Sequence, residues 1–388
     1  MAWRRGRGRP RCLRQLPGRG PRPPDPFPGE PVMRALILSL VLLAAPVQAA
    51  TQLDAEAAAT IQSGLTATAD GFILPAYAAQ AEAAAQTVTA LSAYCAGGAP
   101  LEAAQAGFAD TFLAWQRSSI VSLGPIAEAE GPMRVQLWPD PKGFSERAVR
   151  AALQAEDPAL LAPGGLVGRS IALSNLMALE ALLYGDLPPG SYACDLATAI
   201  AAFQADLAGD LVAAWTPGSP FRADYDTAAQ GNARFPDAEA LVRDLLAGAV
   251  VYVDRLRKFK ILRGLGTAPG EARAERTEAV KSGLGLPGII VAFDTLRDLY
   301  AVNYGLFDIA PDIGGAMDYY LLAQTAASIA AELSVEDATL AEIARADGAA
   351  AARLRGHADA VLFHEQFLKT GFTDAIGMTA GFTAADGD

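Results

Sequence analysis

Apolar side chains recur at helical spacing along nearly the whole of this chain, whereas the alternation that marks a strand is scarce. Leu241, Leu245, Tyr252, Leu256 and Phe259 follow at steps of four, seven, four and three, which lays them along one stripe of a helix. Alanine-rich stretches at 76–94, 101–119 and 192–215 add high intrinsic helix propensity. Short breaks rich in glycine and proline separate such stretches, at 96–100, 124–125, 162–165 and 188–190. Long helices joined by short turns pack antiparallel, so the expected fold is all-α, with two packed helical-bundle regions. The longest break, 216–236, holds three prolines and two glycines. It is expected to act as a linker between an N-terminal bundle over 50–215 and a C-terminal bundle over 237–388.

The chain before residue 50 does not belong to this pattern. Residues 1–32 contain eight arginines among many prolines and glycines and have no apolar periodicity, so they are expected to be a disordered or misassigned leader. Met33 and Arg34 then precede ALILSLVLLAAPVQA, which reads as a signal peptide over 33–49 with cleavage after Ala49. That reading sends the mature protein to the periplasm. The apolar stretch is too short to span a bilayer, and no later segment reaches about twenty uninterrupted apolar residues, so no transmembrane segment is expected in the mature chain. Residues 1–34 carry nine arginines against two acids, and their removal takes the net charge from −12 to −19. Such acidity argues against nucleic acid or anionic membranes and suits cationic ligands or metal ions. Cys95 and Cys194 remain after the leader is gone, and two cysteines in an exported protein predict a disulfide.

One acidic residue stands out. Glu180 is the sole charged side chain in SIALSNLMALEALLY, residues 170–184, which otherwise predicts a helix apolar on nearly every face. A carboxylate there needs a cation, a metal or several hydrogen-bond donors. A base such as Arg117 or Arg134 is the structural alternative to a functional site. The sequence has no HExxH, no GxSxG and no GxxxxGK[ST]. Its two histidines, His357 and His364, are seven residues apart, about 10.5 Å along a helix axis, too far to clasp one metal ion.

FILPAYAA at 72–79, AWQRSSIVSLGPI at 114–126, VQLWPD at 135–140, NLMALEALLYG at 175–185, KSGLGLPGI at 281–289 and TAGFTAADGD at 379–388 stand in an order and spacing that resembles the imelysin-like family, also called the insulin-cleaving metalloproteinase family. The resemblance covers essentially the whole mature sequence. It implies two packed all-helical bundle regions, an exported location and association with iron uptake. It also implies a metal site at the motif G-x-H-x-x-E, in which histidine and glutamate lie one turn apart. Here Asn175 replaces the glycine, Met177 replaces the histidine, and Glu180 alone carries over. A thioether is a soft ligand and suits neither zinc nor ferric iron, so Met177 is expected to be core.

Zinc hydrolysis needs about three protein ligands, an open position for water and a base, which this chain does not offer on that helix. The expected function is therefore a periplasmic binding or accessory component linked to iron or metal uptake. It would hold a metal ion or small ligand in the cleft between the two helical halves, with Glu180 and Asp140 as oxygen donors. Two alternatives stand beside it: a metallopeptidase of the imelysin type, and a metal-free scaffold that binds another periplasmic or outer-membrane protein. Trp138 and Asp140 sit in a proline-bounded loop that can aim polar groups at the cleft or simply anchor and cap the next helix. Arg117 is a candidate partner for Glu180 or for an anionic ligand. Ser282 is a candidate to present its backbone amide to a ligand at a helix start, or to act as an ordinary cap.

Overall fold

Alanine-lined helices can approach closely, and the fold is built on that. The computed structural model describes residues 55–128, 131–301, 305–309 and 316–372, which are helical with no strand among them. The leader 1–32, the signal peptide 33–49 and the closing segment 379–388 lie outside the described residues. The main helices are α1 (Ala55–Thr68), α2 (Leu74–Cys95), α3 (Leu101–Ser118), α4 (Phe144–Ala155), α5 (Leu176–Leu183) and α6 (Tyr192–Trp215). They are followed by α7 (Ala238–Arg255), α8 (Gly285–Leu299), α9 (Ala316–Leu333) and α10 (Ala349–Gln366).

In the N-terminal region α2 lies along both α3 and α6. Ala76, Ala83 and Ala84 on α2, Ala104 on α3, and Ala197, Ala201 and Ala208 on α6 are all buried at these contacts. A Cβ at Gly107 would stand 3.1 Å from Thr87, so glycine sets the α2–α3 approach. Thr87 and Thr111 hydrogen-bond across it at 2.8 Å. Cys95 at the end of α2 is disulfide-bonded to Cys194 in the first turn of α6. In the C-terminal region α8 packs on α9 and α7 on α10. The two regions meet where α3 packs on α8 and α1 on α7, and residues from both contribute to one hydrophobic core.

Three local departures from the sequence pattern matter. The apolar run 170–184 is not one helix, because Asn175 adopts an extended backbone (φ −103°, ψ 168°) between Ile171–Ser174 and α5. Its side-chain oxygen accepts from the amides of Met177 and Ala178, at 2.7 and 3.3 Å, while its Nδ2 donates to the carbonyl of Ile171. That is an N-cap: the side chain takes up amides that have no partner in a helix's first turn. The stripe from Leu241 ends in a wide π-helical turn, Leu256–Ile261, directly after α7. The inward face of α7 runs Val242, Leu246, Ala249, Val253 and Leu256 at steps of four, three, four and three, and Lys260, four residues on, points inward while Leu245 and Phe259 are half-buried.

The segment 216–236, expected as a linker, is packed rather than open. It holds the helix Pro220–Asp226, whose Phe221 and Tyr225 meet the Trp215 ring edge-on at 5.0 and 5.1 Å. Tyr225 also donates to the carbonyl of Leu65 on α1 at 2.9 Å. The prolines and glycines gave the turns, and the aromatics between them supplied the packing.

His364 is fully buried on α10, its ring stacked on Tyr300 at 5.6 Å with Nδ1 3.2 Å from the tyrosine oxygen. Burial pushes its pKa down to about 4. The unfolded chain therefore binds a proton that the folded one refuses, and stability is lost as pH falls from about 6.5 through about 4, by on the order of 3 kcal/mol. Urea unfolding at pH 7 and pH 4.5 should show a larger acid loss for the wild type than for His364→Phe. A second measurement concerns the disulfide, which closes a loop of 99 residues. Reduction should cost up to about 4–5 kcal/mol on the chain-entropy model, and alkylation without reduction should label neither Cys95 nor Cys194.

Candidate functional site

The eight residues of α5 are buried on almost every side, so the carboxylate of Glu180 must find its partners inside the protein. Both come from one residue in the turn that leads into α8. Ser282 donates its backbone N–H to Glu180 Oε1 at 2.9 Å and its hydroxyl to the same oxygen at 2.7 Å. Burial pushes the Glu180 carboxyl above its ordinary range, while the Ser282 bonds and the nearby Lys281 pull it back.

One turn back on α5, Met177 Sδ accepts from Gln136 Nε2 at 3.6 Å. Gln136 opens a network of buried polar groups. The same Nε2 donates to Glu278 Oε1 at 2.8 Å, and its Oε1 accepts from Trp115 Nε1 at 3.0 Å and Gln116 Nε2 at 3.4 Å. Lys260 Nζ donates to Glu278 Oε2 at 2.7 Å and to Gln116 Oε1. Tyr252 closes the edge by donating to the carbonyl of Gln116 at 2.8 Å. Lys260 is 7 % exposed and Glu278 1 %. Burial pushes the Lys260 ammonium below its ordinary pKa, and the Glu278 carboxylate works against that push.

Of the expected site residues, only Glu180 and Ser282 come together. Arg117 does not reach Glu180: it pairs with Asp298 at 2.6 Å and lies over the ring of Phe72 at 4.9 Å, because its turn of α3 faces α8 and the π-helical turn Ala69–Ile73 rather than α5. Asp140 accepts from the amides of Phe144 and Ser145, at 2.8 and 2.9 Å, so its carboxylate is used to cap α4. Trp138 donates to the carbonyl of Phe259 at 3.3 Å and carries the Arg263 guanidinium over its ring at 5.5 Å. It is an anchor for the π-helical turn. Sequence reasoning missed Gln116, Gln136, Lys260 and Glu278. Gln116 and Gln136 stood inside the segments AWQRSSIVSLGPI and VQLWPD, and for Gln136, between Val135 and Leu137, a polar residue flanked by apolar neighbours was the available signal.

The expected cleft is also corrected. Glu180, Met177, Lys260 and Glu278 are all buried, so this junction between the helical regions is filled. A groove of about 1020 Å³ lies instead beside the disulfide, between α2, α6 and the loop 160–168. Phe203 and Leu207 line it together with the exposed carboxylates of Asp195, Asp206 and Asp210, and none of the expected site residues does.

A metal at α5 does not fit the groups present. Among the described residues no three His, Cys, Asp or Glu side chains converge. Glu180 is a single carboxylate already accepting two hydrogen bonds on one oxygen, and the position of an imidazole is held by a thioether that is itself hydrogen-bonded.

Comparison with known proteins agrees with this architecture. Residues 73–380 match the family model for imelysin, peptidase family M75. The crystal structure of an imelysin-like protein from Psychrobacter arcticum 273-4 is similar with a TM-score of 0.69 at 19% identity, covering 85% of this chain and 99% of that one. That likeness is one of fold. No curated protein matches the chain.

Glu180→Ala removes the acceptor of two donors and leaves space behind, and should lower stability by about 2–4 kcal/mol in urea unfolding. Glu180→Gln should cost less, since its amide oxygen accepts the same two bonds. Because the folded carboxyl is raised, its contribution is complete below the ordinary value of 4.5 and declines as pH rises through the raised one. Glu180→Gln should abolish that decline.

Proposed function

The chain belongs to the imelysin family, and from that premise we propose that it is an exported binding or accessory component linked to iron or metal uptake, working without hydrolysis. One observation carries the non-hydrolytic part. The two α5 positions at which the family motif places its histidine and glutamate are engaged by Gln136 and Ser282. Hydrolysis by a bound metal requires several ligands, a position open to water and a base, and no such opening exists where Glu180 is 4 % exposed. Export is supported by the signal-peptide pattern at 33–49 and by the Cys95–Cys194 disulfide, a bond that persists in oxidising compartments. The link to iron rests on the family resemblance. A cationic ligand would be received on the open groove, whose rim carries Asp195, Asp206 and Asp210.

Protein purified from the periplasm should begin at Ala50 on N-terminal sequencing. Calorimetry with ferrous and ferric iron should give binding heat that Glu180→Gln leaves unchanged. A denatured polypeptide should remain intact over a range of added metals. Chelator-sensitive cleavage abolished by Glu180→Gln would make the protein a peptidase. No heat with any transition metal would remove the metal link and leave the scaffold, to be read by co-purification of a periplasmic partner.

A further inference from the structure

The polar centre beside α5 contains a carboxylate that needs a positive charge and has one within the chain. Glu278 is 1 % exposed, and a carboxylate so far from water is held only by a cation and donors in good geometry. Its Oε2 takes the Lys260 ammonium and its Oε1 the Gln136 amide. The orientation of Gln136 is fixed from both sides. Its oxygen faces the donors Trp115 and Gln116, so its nitrogen must face Glu278 and the thioether of Met177. Lys260 is also held by Gln116, whose own Nε2 reaches the carbonyl of Phe112 at 3.2 Å. None of these side-chain atoms is left without a partner.

The position of the family's motif histidine is thus one glutamine away from an ammonium–carboxylate pair. A neutral thioether is compatible with that ammonium. The Glu278 carboxylate on the far side of Gln136 Nε2 already has its cation in Lys260, so a divalent ion at the same place would have to displace that ammonium to be neutralised. We infer that the Lys260 ammonium is a tethered internal cation standing in the role a metal ion would otherwise have, and that it closes this centre to free metal. The tether makes the charge independent of metal supply, because no ion has to be captured from solution. The buried stripe of α7, Val242, Leu246, Ala249, Val253 and Leu256, delivers it, since Lys260 is the next position on that face.

The inference rests on the non-hydrolytic reading but is tested apart from it, by thermal unfolding rather than by cleavage or by iron binding at the groove. With the groove carboxylates removed in Asp195→Asn, Asp206→Asn, Asp210→Asn, so that no shift can come from the groove, the midpoint should move by less than about 1 °C with zinc sulfate, nickel chloride or EDTA, because a ligand that does not bind the folded state shifts nothing. Lys260→Met leaves Glu278 buried without its cation and should lower the midpoint by roughly 5–10 °C, and Lys260→Met with Glu278→Gln should recover most of that loss. The double variant Met177→His, Lys260→Met should gain about 5 °C or more with saturating zinc or nickel, reversed by EDTA, where Lys260→Met alone gains less. The inference is overturned by a groove variant that EDTA destabilises, by a Lys260→Met variant as stable as wild type, or by a folded Met177→His, Lys260→Met variant indifferent to metal. If that variant does not fold, the chelator measurement on the groove variant and the charge-removal pair decide the matter.

Discussion

A buried ammonium held 2.7 Å from a buried carboxylate is the constraint around which the junction of the two helical regions is arranged. Taking such a pair out of water costs several kcal/mol per ion, offset only when geometry and further hydrogen bonds are good. Trp115 and Gln116 from α3, Gln136 from the segment before α4, Met177 from α5 and Tyr252 from α7 are all placed by that requirement. Lys260 and Glu278 belong to the C-terminal region, and Gln116, Gln136 and Met177 to the N-terminal one, so the pair gains its further hydrogen bonds only when both halves have docked.

The surrounding packing makes the requirement strict. Alanines on α2 and α6 and the glycine at 107 draw the N-terminal helices together, leaving little room for water between them. The same holds at α3 and α8, where a Cβ on Gly288 would come within 3.3 Å of Phe112. Polar groups enclosed at such a crossing must satisfy one another, which is why Glu180 is matched by Ser282 and Glu278 by Lys260 and Gln136. Met177 and Glu180 lie at this crossing, which is a closed network rather than a crevice. The concave surface open to solvent belongs to α2, α6 and the loop 160–168.

Parts of this arrangement were legible beforehand for physical reasons. A lone acid in an apolar run must be buried with partners, so Glu180 was marked by composition alone, and Ser282 was found because a helix start offers an amide. Asp140 and Trp138 were marked correctly as special, but proline-bounded loops supply capping and anchoring groups as readily as ligands, and here they cap α4 and brace the π-helical turn. Arg117 carried the right charge for Glu180 and faced a different neighbour, Asp298. Lys260 was hidden because the apolar spacing of Leu241, Leu245, Tyr252 and Phe259 marks one stripe, while the face that packs runs through Val242, Leu246, Ala249 and Val253 to Lys260.

What the sequence determined by itself is the local and periodic part: helices from alanine-rich spacing, their ends from glycine, proline and capping side chains, the cysteines available for a bridge, and the family from its ordered motifs. The tertiary structure alone decided which charged groups meet. Propensity and capping act over a few residues, whereas the partners of Glu180 and Gln136 lie 102 and 142 residues away. Only packing of the two regions can choose between one arginine and another, or between an arginine and a serine, as the partner of Glu180.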